Sequence, residues 1–259
     1  MILLFVKSKD SFQILFFVLG IFDCLIFLVS FLYLLIKEDF IYSKTSFKDI
    51  YSELQIGFKM FLTNLTICSI LNSGTLILGM FVNSKTVGIY SIAEKIIMLG
   101  KHGIGVLFQG LFPKICKIGV RSIFELNRYL RIILKTYFVL FSLGTVLLIA
   151  FSEQIISILS NVFVYESSRY LILLSPIPLI AALNQPAYIA LILNDKKNIY
   201  FSGYFIGLVI NISLSFLLSY LFKVEGMIAA LIITELFITL FLNYKVQLDK
   251  KLNFFSKND

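Results

Sequence analysis

The chain has 259 residues, of which 59% are hydrophobic and only 15% charged, and it carries a net charge of +8. Soluble domains hold roughly 25% charged residues, and a water-soluble globule with this composition would lack the polar surface to cover its apolar side chains. The composition therefore excludes a soluble domain. The basic residues sit between hydrophobic runs and not on one face of a soluble element, so no nucleic-acid partner is expected.

Taken in chain order, MILLFV followed at once by KSKD is too short for a signal peptide and has no cleavage pattern. Residues 1–10 read as the end of a preceding helix and a loop, so further helices are expected upstream. A spanning helix needs about 20 mostly apolar residues. Seven such segments are expected, at 11–36, 56–82, 87–112, 134–158, 170–193, 199–222 and 226–244. The longest polar connectors are 37–55 and 113–133, and FELNRYLRIILK within the second reads either as an amphipathic helix along the membrane surface or as part of a plain positive-inside loop. The fold class expected is all-α integral membrane, because open strands cannot cross hydrocarbon with unpaired backbone groups. Four regions are expected: 1–10; one spanning helix and a cytoplasmic linker at 11–55; six spanning helices at 56–247; and a cytoplasmic tail at 248–259. SPIP (Ser175 to Pro178) and Pro186 are expected to interrupt the fifth segment, and Gly203 and Gly207 form a GxxxG spacing suited to close helix contact. With no Trp in the chain, Tyr must supply the interfacial anchors.

Lysine and arginine sort the connectors into two sets, fifteen on one side and five on the other. The richer set, which includes the C-terminus, is expected in the cytoplasm. The single histidine excludes a His-based triad or a multi-His metal site. Cys24, Cys68 and Cys116 form no CxxC pair. No catalytic motif, cofactor or metal is expected, and the chain is not read as an enzyme.

Charges within the bilayer cost about 2.5–3.5 kcal/mol each even on lenient scales, so each is a functional candidate. The third segment carries Glu94, Lys95, Lys101, His102 and Gln109. At about 100° per residue they share a sector of about 120°, which must face water or protein. With two lysines against one glutamate, the face is expected to form the cationic wall of a cavity for a phosphate-bearing substrate; the alternative is an internal ion pair and packing, with the lysines snorkelling to the interfaces. Asp23 in the first segment and Glu235 in the seventh are candidates for ion coupling. Asn64, Asn72, Asn184, Gln185 and Asn211 are expected to hydrogen-bond between helices.

Four stretches carry a family resemblance: LLFVKSKDSFQILFFVL, LILGMFVNSKTVGIYSIAEKI, GLFPKICKI and KVEGMIAALIITE. In order and spacing they resemble the polysaccharide flippases of the Wzx type, in the multidrug/oligosaccharidyl-lipid/polysaccharide exporter superfamily with its MATE-like fold. The resemblance implies one six-helix lobe of a twelve-helix fold plus the preceding helix, with most of the N-terminal lobe missing or supplied by a separate partner. It implies a flippase in the bacterial inner membrane that moves undecaprenyl-pyrophosphate-linked oligosaccharide for O-antigen or capsular polysaccharide synthesis. Lipid-linked oligosaccharide and membrane lipids are then the expected partners, and Glu94, Lys95 and Lys101 lie on the matching cavity-lining helix. Gly74 departs from the pattern, since many relatives carry an acidic residue there. The alternatives are a small-molecule exporter of the same superfamily and a truncated remnant that transports nothing.

Overall fold

In hydrocarbon each backbone N–H and C=O must be satisfied within its own segment, so long apolar runs become helices. The computed structural model of the protein describes residues 12–37, 46–160, 164–249 and 252–254. It contains helices α1 (Phe12–Lys37), α2 (Phe47–Leu78), α3 (Ser84–Arg121), α4 (Ile123–Ala150), α5 (Ser152–Leu159), α6 (Val164–Leu174), α7 (Pro176–Leu193) and α8 (Lys197–Leu248), with no strand among the described residues. Among the described residues, six helical stretches are long and apolar enough to cross a membrane. The chain is thus an all-α membrane protein. The expected stub at 1–10 lies outside the described residues, as do 250–251 and 255–259 of the expected tail.

The chain divides into two units, residues 1–54 and 55–259. The first holds α1 and the opening turns of α2. Lys37 ends α1, where a cation complements the helix dipole, and its Nζ donates to the Tyr33 hydroxyl at 2.6 Å. Asp23 sits in the middle of α1 and is exposed.

The second unit holds the bundle. Its helix ends follow local chemistry. Asn83 caps α3, its Oδ1 accepting from the Thr86 amide and hydroxyl at 2.9 and 2.7 Å. Pro113 does not end α3, which runs on to Arg121. Ser122 alone separates α3 from α4 and caps α4 by accepting from the Glu125 amide, within an S-x-x-E pattern. The expected surface helix at 124–135 is therefore the first part of a single 28-residue helix. It does not lie apart from the bundle, because Leu126, Leu130 and Ile133 are buried in the core.

The expected fifth segment breaks at Ser175, where α6 ends and Pro176 opens α7; proline suits a first helical position, where no N–H partner exists. Pro186 is carried inside α7 without ending it. α7 is apolar apart from Asn184 and Gln185 and packs against α3, α4 and α8, as suits a helix surrounded by others. The last two expected segments are arms of α8, joined at Lys223, whose φ of 53° and ψ of −124° reverse the chain. The two arms meet at the GxxxG glycines. A Cβ on Gly203 would stand 2.9 Å from Leu242 Cδ2, and one on Gly207 would stand 2.7 Å from Ile238 Cδ1.

The buried apolar side chains form two clusters. One includes Ile104, Leu130, Ala181, Leu191, Ile238 and Leu242, the other Tyr90, Ile97, Leu171, Ile177, Met227 and Ile228. The boundary passes between Ile97 and Ile104 on α3, between Ile177 and Ala181 on α7, and between Ile228 and Ile238 on α8. Polar groups occupy that boundary.

Candidate functional site

Two of the five α3 candidates turn into the bundle. Glu94 is buried and accepts from Thr75 Oγ1 of α2 at 2.5 Å and from the Tyr90 hydroxyl at 3.0 Å. Its carboxylate has room because residue 74 is glycine: a Cβ there would stand 2.8 Å from Glu94 Oε1, 3.0 Å from Met227 Cε and 3.3 Å from the Tyr90 hydroxyl. Two turns on, Lys101 Nζ lies 3.0 Å from Glu235 Oε1 on the second arm of α8, with side-chain exposures of 21% and 11%. Glu235, which stands alone in the sequence, is thus half of an ion pair that ties α3 to α8. The neighbouring Gly100 lets Pro178 of α7 approach, its Cγ 3.1 Å from where a Cβ would be.

The other three candidates, Lys95, His102 and Gln109, are exposed. They recur every seven residues, so they stack along one side of α3. Leu99 and Val106 fill the gaps between them and are also exposed. The sector expected from the sequence is thereby divided: Glu94 and Lys101 anchor α3 to its neighbours, and the Lys95 strip is presented outward on a helix long and apolar enough to cross a membrane.

The amides fare differently from one another. Asn211 accepts from Ser73 Oγ of α2 at 2.8 Å and donates to Thr234 Oγ1 at 3.3 Å, while Thr234 donates to the Ala230 carbonyl. This directed chain joins α2 to both arms of α8 and satisfies both ends of the amide. Asn184 Nδ2 donates to the Tyr204 hydroxyl at 3.2 Å. These two behave as the sequence leads one to expect. Asn72 does not: its Nδ2 donates to the Cys68 carbonyl of its own helix at 2.7 Å, and both Asn72 and Asn64 are exposed. Gln185 is half-buried on α7.

Sequence reasoning missed the tyrosine group beside Asn184. Tyr188, Tyr200 and Tyr204 pack as tilted rings with centroids 4.7 and 4.8 Å apart; only the i, i+4 spacing of Tyr200 and Tyr204 hinted at it. It also missed the partner of Arg169, which is Glu225 at 2.5 Å. A cavity of about 410 Å³ lies next to that pair, lined by Asn83, Thr86, Tyr170 and Lys223 among others. It is separate from Glu94 and Lys101. The described cysteines Cys24, Cys68 and Cys116 are free, and no cluster suited to a metal ion occurs among the described residues.

Fold and site together define a multi-pass, all-α membrane protein with a polar layer inside its bundle. No protein-family model, curated protein or solved structure matches the chain.

Proposed function

We propose that the chain is one lobe of a flippase that carries a lipid-linked oligosaccharide across the bacterial cytoplasmic membrane, the activity implied by its resemblance to the Wzx-type flippases. The observation that supports this reading best is the exposed strip of Lys95, His102 and Gln109 on a membrane-length helix. A cation on a lipid-facing surface is costly, so such a strip calls for water or a polar partner. In this reading the strip lines a hydrated path. Lys95, with His102 beside it, attracts the diphosphate of the cargo, the glycan head follows through the path, and the polyprenyl tail stays in the bilayer. Access alternates by rocking of one lobe against another.

Lys95 is the residue to test. Charge reversal at Lys101 would also break its ion pair with Glu235 and confound folding with transport. Lys95→Glu in the source bacterium is expected to abolish surface polysaccharide while the membrane level of the protein stays normal. Unchanged polysaccharide at normal protein level would refute the reading.

A further inference from the structure

Lys223 stands where glycine would be free of strain. Its φ of 53° and ψ of −124° lie where side-chain-bearing residues are rare, and residues held in such regions cluster at functional sites. The turn between the arms of α8 needs this backbone conformation and not an ammonium group. Among the described residues the ammonium has no ion-pair partner. Glu225, two residues on, is paired with Arg169 instead, at 2.5 Å.

Lys223 and Glu225 both line the cavity of about 410 Å³, a size within the roughly 300–1,000 Å³ of ligand pockets. The cavity lies where helix ends meet: α2 ends at Leu78, α3 begins at Ser84, and the arms of α8 join at Lys223. Its polar wall offers groups of two kinds. Lys223 and Asn83 offer donors, because the Asn83 Oδ1 is taken by the Thr86 amide and hydroxyl and the Nδ2 remains. Glu225 offers an acceptor, since Arg169 donates to its Oε1 and leaves the Oε2. Phe81, Tyr170 and Phe222 supply aromatic walls. Phe81 also meets Tyr220 edge-on, with centroids 6.3 Å apart, and both Phe222 and Tyr220 are exposed.

A cation and an anion in one cavity, not paired with each other, select a ligand that carries both charges. A simple anion would face the Glu225 carboxylate, and a simple cation would face the Lys223 ammonium. A phosphate accepts from Lys223 and Asn83, while a primary ammonium donates to Glu225. Aromatic residues at the ends of spanning helices sit at the level of lipid headgroups, and the exposed rings of Phe222 and Tyr220 give acyl chains an apolar surface. We infer that this cavity holds the headgroup of a phospholipid that joins a phosphate to a primary ammonium, the phosphatidylethanolamine class. The site shares no residue with the Lys95 strip and stands whether or not the chain is a flippase.

The full chain, purified in mild detergent and titrated with single lipids, can be read by native mass spectrometry. Phosphatidylethanolamine should bind about tenfold more tightly than phosphatidylglycerol, which lacks the ammonium, or phosphatidylcholine, whose quaternary nitrogen has no N–H; tenfold is the size of one hydrogen bond to a charged group. Equal binding of the three lipids would overturn the inference. Lys223→Gly relaxes the turn while removing the ammonium, so it should keep the fold and bind phosphatidylethanolamine about tenfold more weakly, and Lys223→Arg should retain binding. Unchanged binding by a well-folded Lys223→Gly would overturn the role of the cavity. Glu225→Gln should erase the preference for phosphatidylethanolamine over phosphatidylglycerol, and a preserved preference would remove the carboxylate from the site. Displacement of the bound lipid by an equal concentration of soluble phosphoethanolamine would make the free headgroup the ligand and overturn the lipid assignment.

Discussion

Gly74 and Glu94 are complementary across the α2–α3 contact: the carboxylate oxygen lies 2.8 Å from the point where a Cβ on residue 74 would stand. A methyl group there must displace the carboxylate, which holds Thr75 and Tyr90 through hydrogen bonds. Gly74→Ala gains about 0.5–1 kcal/mol of helix propensity but overpacks the contact, at a cost of typically 1–3 kcal/mol. A net loss of thermal stability in detergent is expected. Glu94→Ala in the same chain should return part of that loss, because the obstructed group is gone. Simple additivity of the two substitutions would show that the glycine and the carboxylate do not meet.

The Lys101–Glu235 pair should behave as a unit. Removing one partner of a fully buried pair leaves an uncompensated charge and costs about 3–5 kcal/mol, whereas replacing both with apolar groups of similar volume is often neutral; with Lys101 only partly buried, the cost here falls below that range. Lys101→Met and Glu235→Met are each expected to lower the unfolding temperature sharply, and the double variant should recover most of it. The check is a thermal series monitored by size-exclusion chromatography. A double variant as unstable as the sum of the single ones would mean that the 3.0 Å contact contributes no coupling.

These relationships also show where the sequence was readable. Apolar run length set the helical character and order of the long apolar segments, since hydrocarbon leaves a long apolar run little choice but helix, but it read as two segments what is the single stretch Lys197–Leu248, so that seven were expected where six are found. It did not show that α3 continues past Pro113, because a proline costs a single hydrogen bond and a helix can bend through it where that carbonyl is otherwise solvated. The angular sector of Glu94, Lys95, Lys101, His102 and Gln109 was legible from helical periodicity alone. Its division was not, since which edge of a sector is covered depends on neighbours such as Gly74 and Glu235, distant in the chain. The break at Lys223 was legible only as a polar interruption between 222 and 226. Its left-handed conformation arises from the closeness of the two arms, which no local pattern encodes.

The glycines of α8 divide into two kinds. A Cβ on Gly207 would meet the end of the Ile238 side chain at 2.7 Å, and one on Gly226 would meet the backbone carbonyl of Leu218 at 1.9 Å. A side-chain end can move or be shortened, but a helix backbone cannot. Gly207→Ala is expected to destabilise the arm–arm contact by about 1–3 kcal/mol, and Ile238→Ala in the same chain should relieve the clash. Gly226→Ala should leave little folded protein in the membrane, and no side-chain substitution should rescue it. Normal yield of Gly226→Ala would show that the two arms do not approach as closely as described.

Lys223 supplies a test with the opposite sign. Its φ of 53° and ψ of −124° place a side-chain-bearing residue in a region suited to glycine, and such backbone strain costs of order 1–3 kcal/mol. Lys223→Gly removes the strain but adds freedom to the unfolded chain, a counter-cost of about 0.4–1 kcal/mol. The net effect should be a gain of about 1 kcal/mol, read as a higher unfolding temperature. Lys223→Ala discriminates the cause, because it removes the ammonium and keeps the Cβ in the strained conformation. Stabilisation by glycine but not by alanine identifies the backbone as the source. Equal stabilisation by both would assign the effect to the lysine charge, which lies beside Glu225 and Tyr170 in the wall of the 410 Å³ cavity.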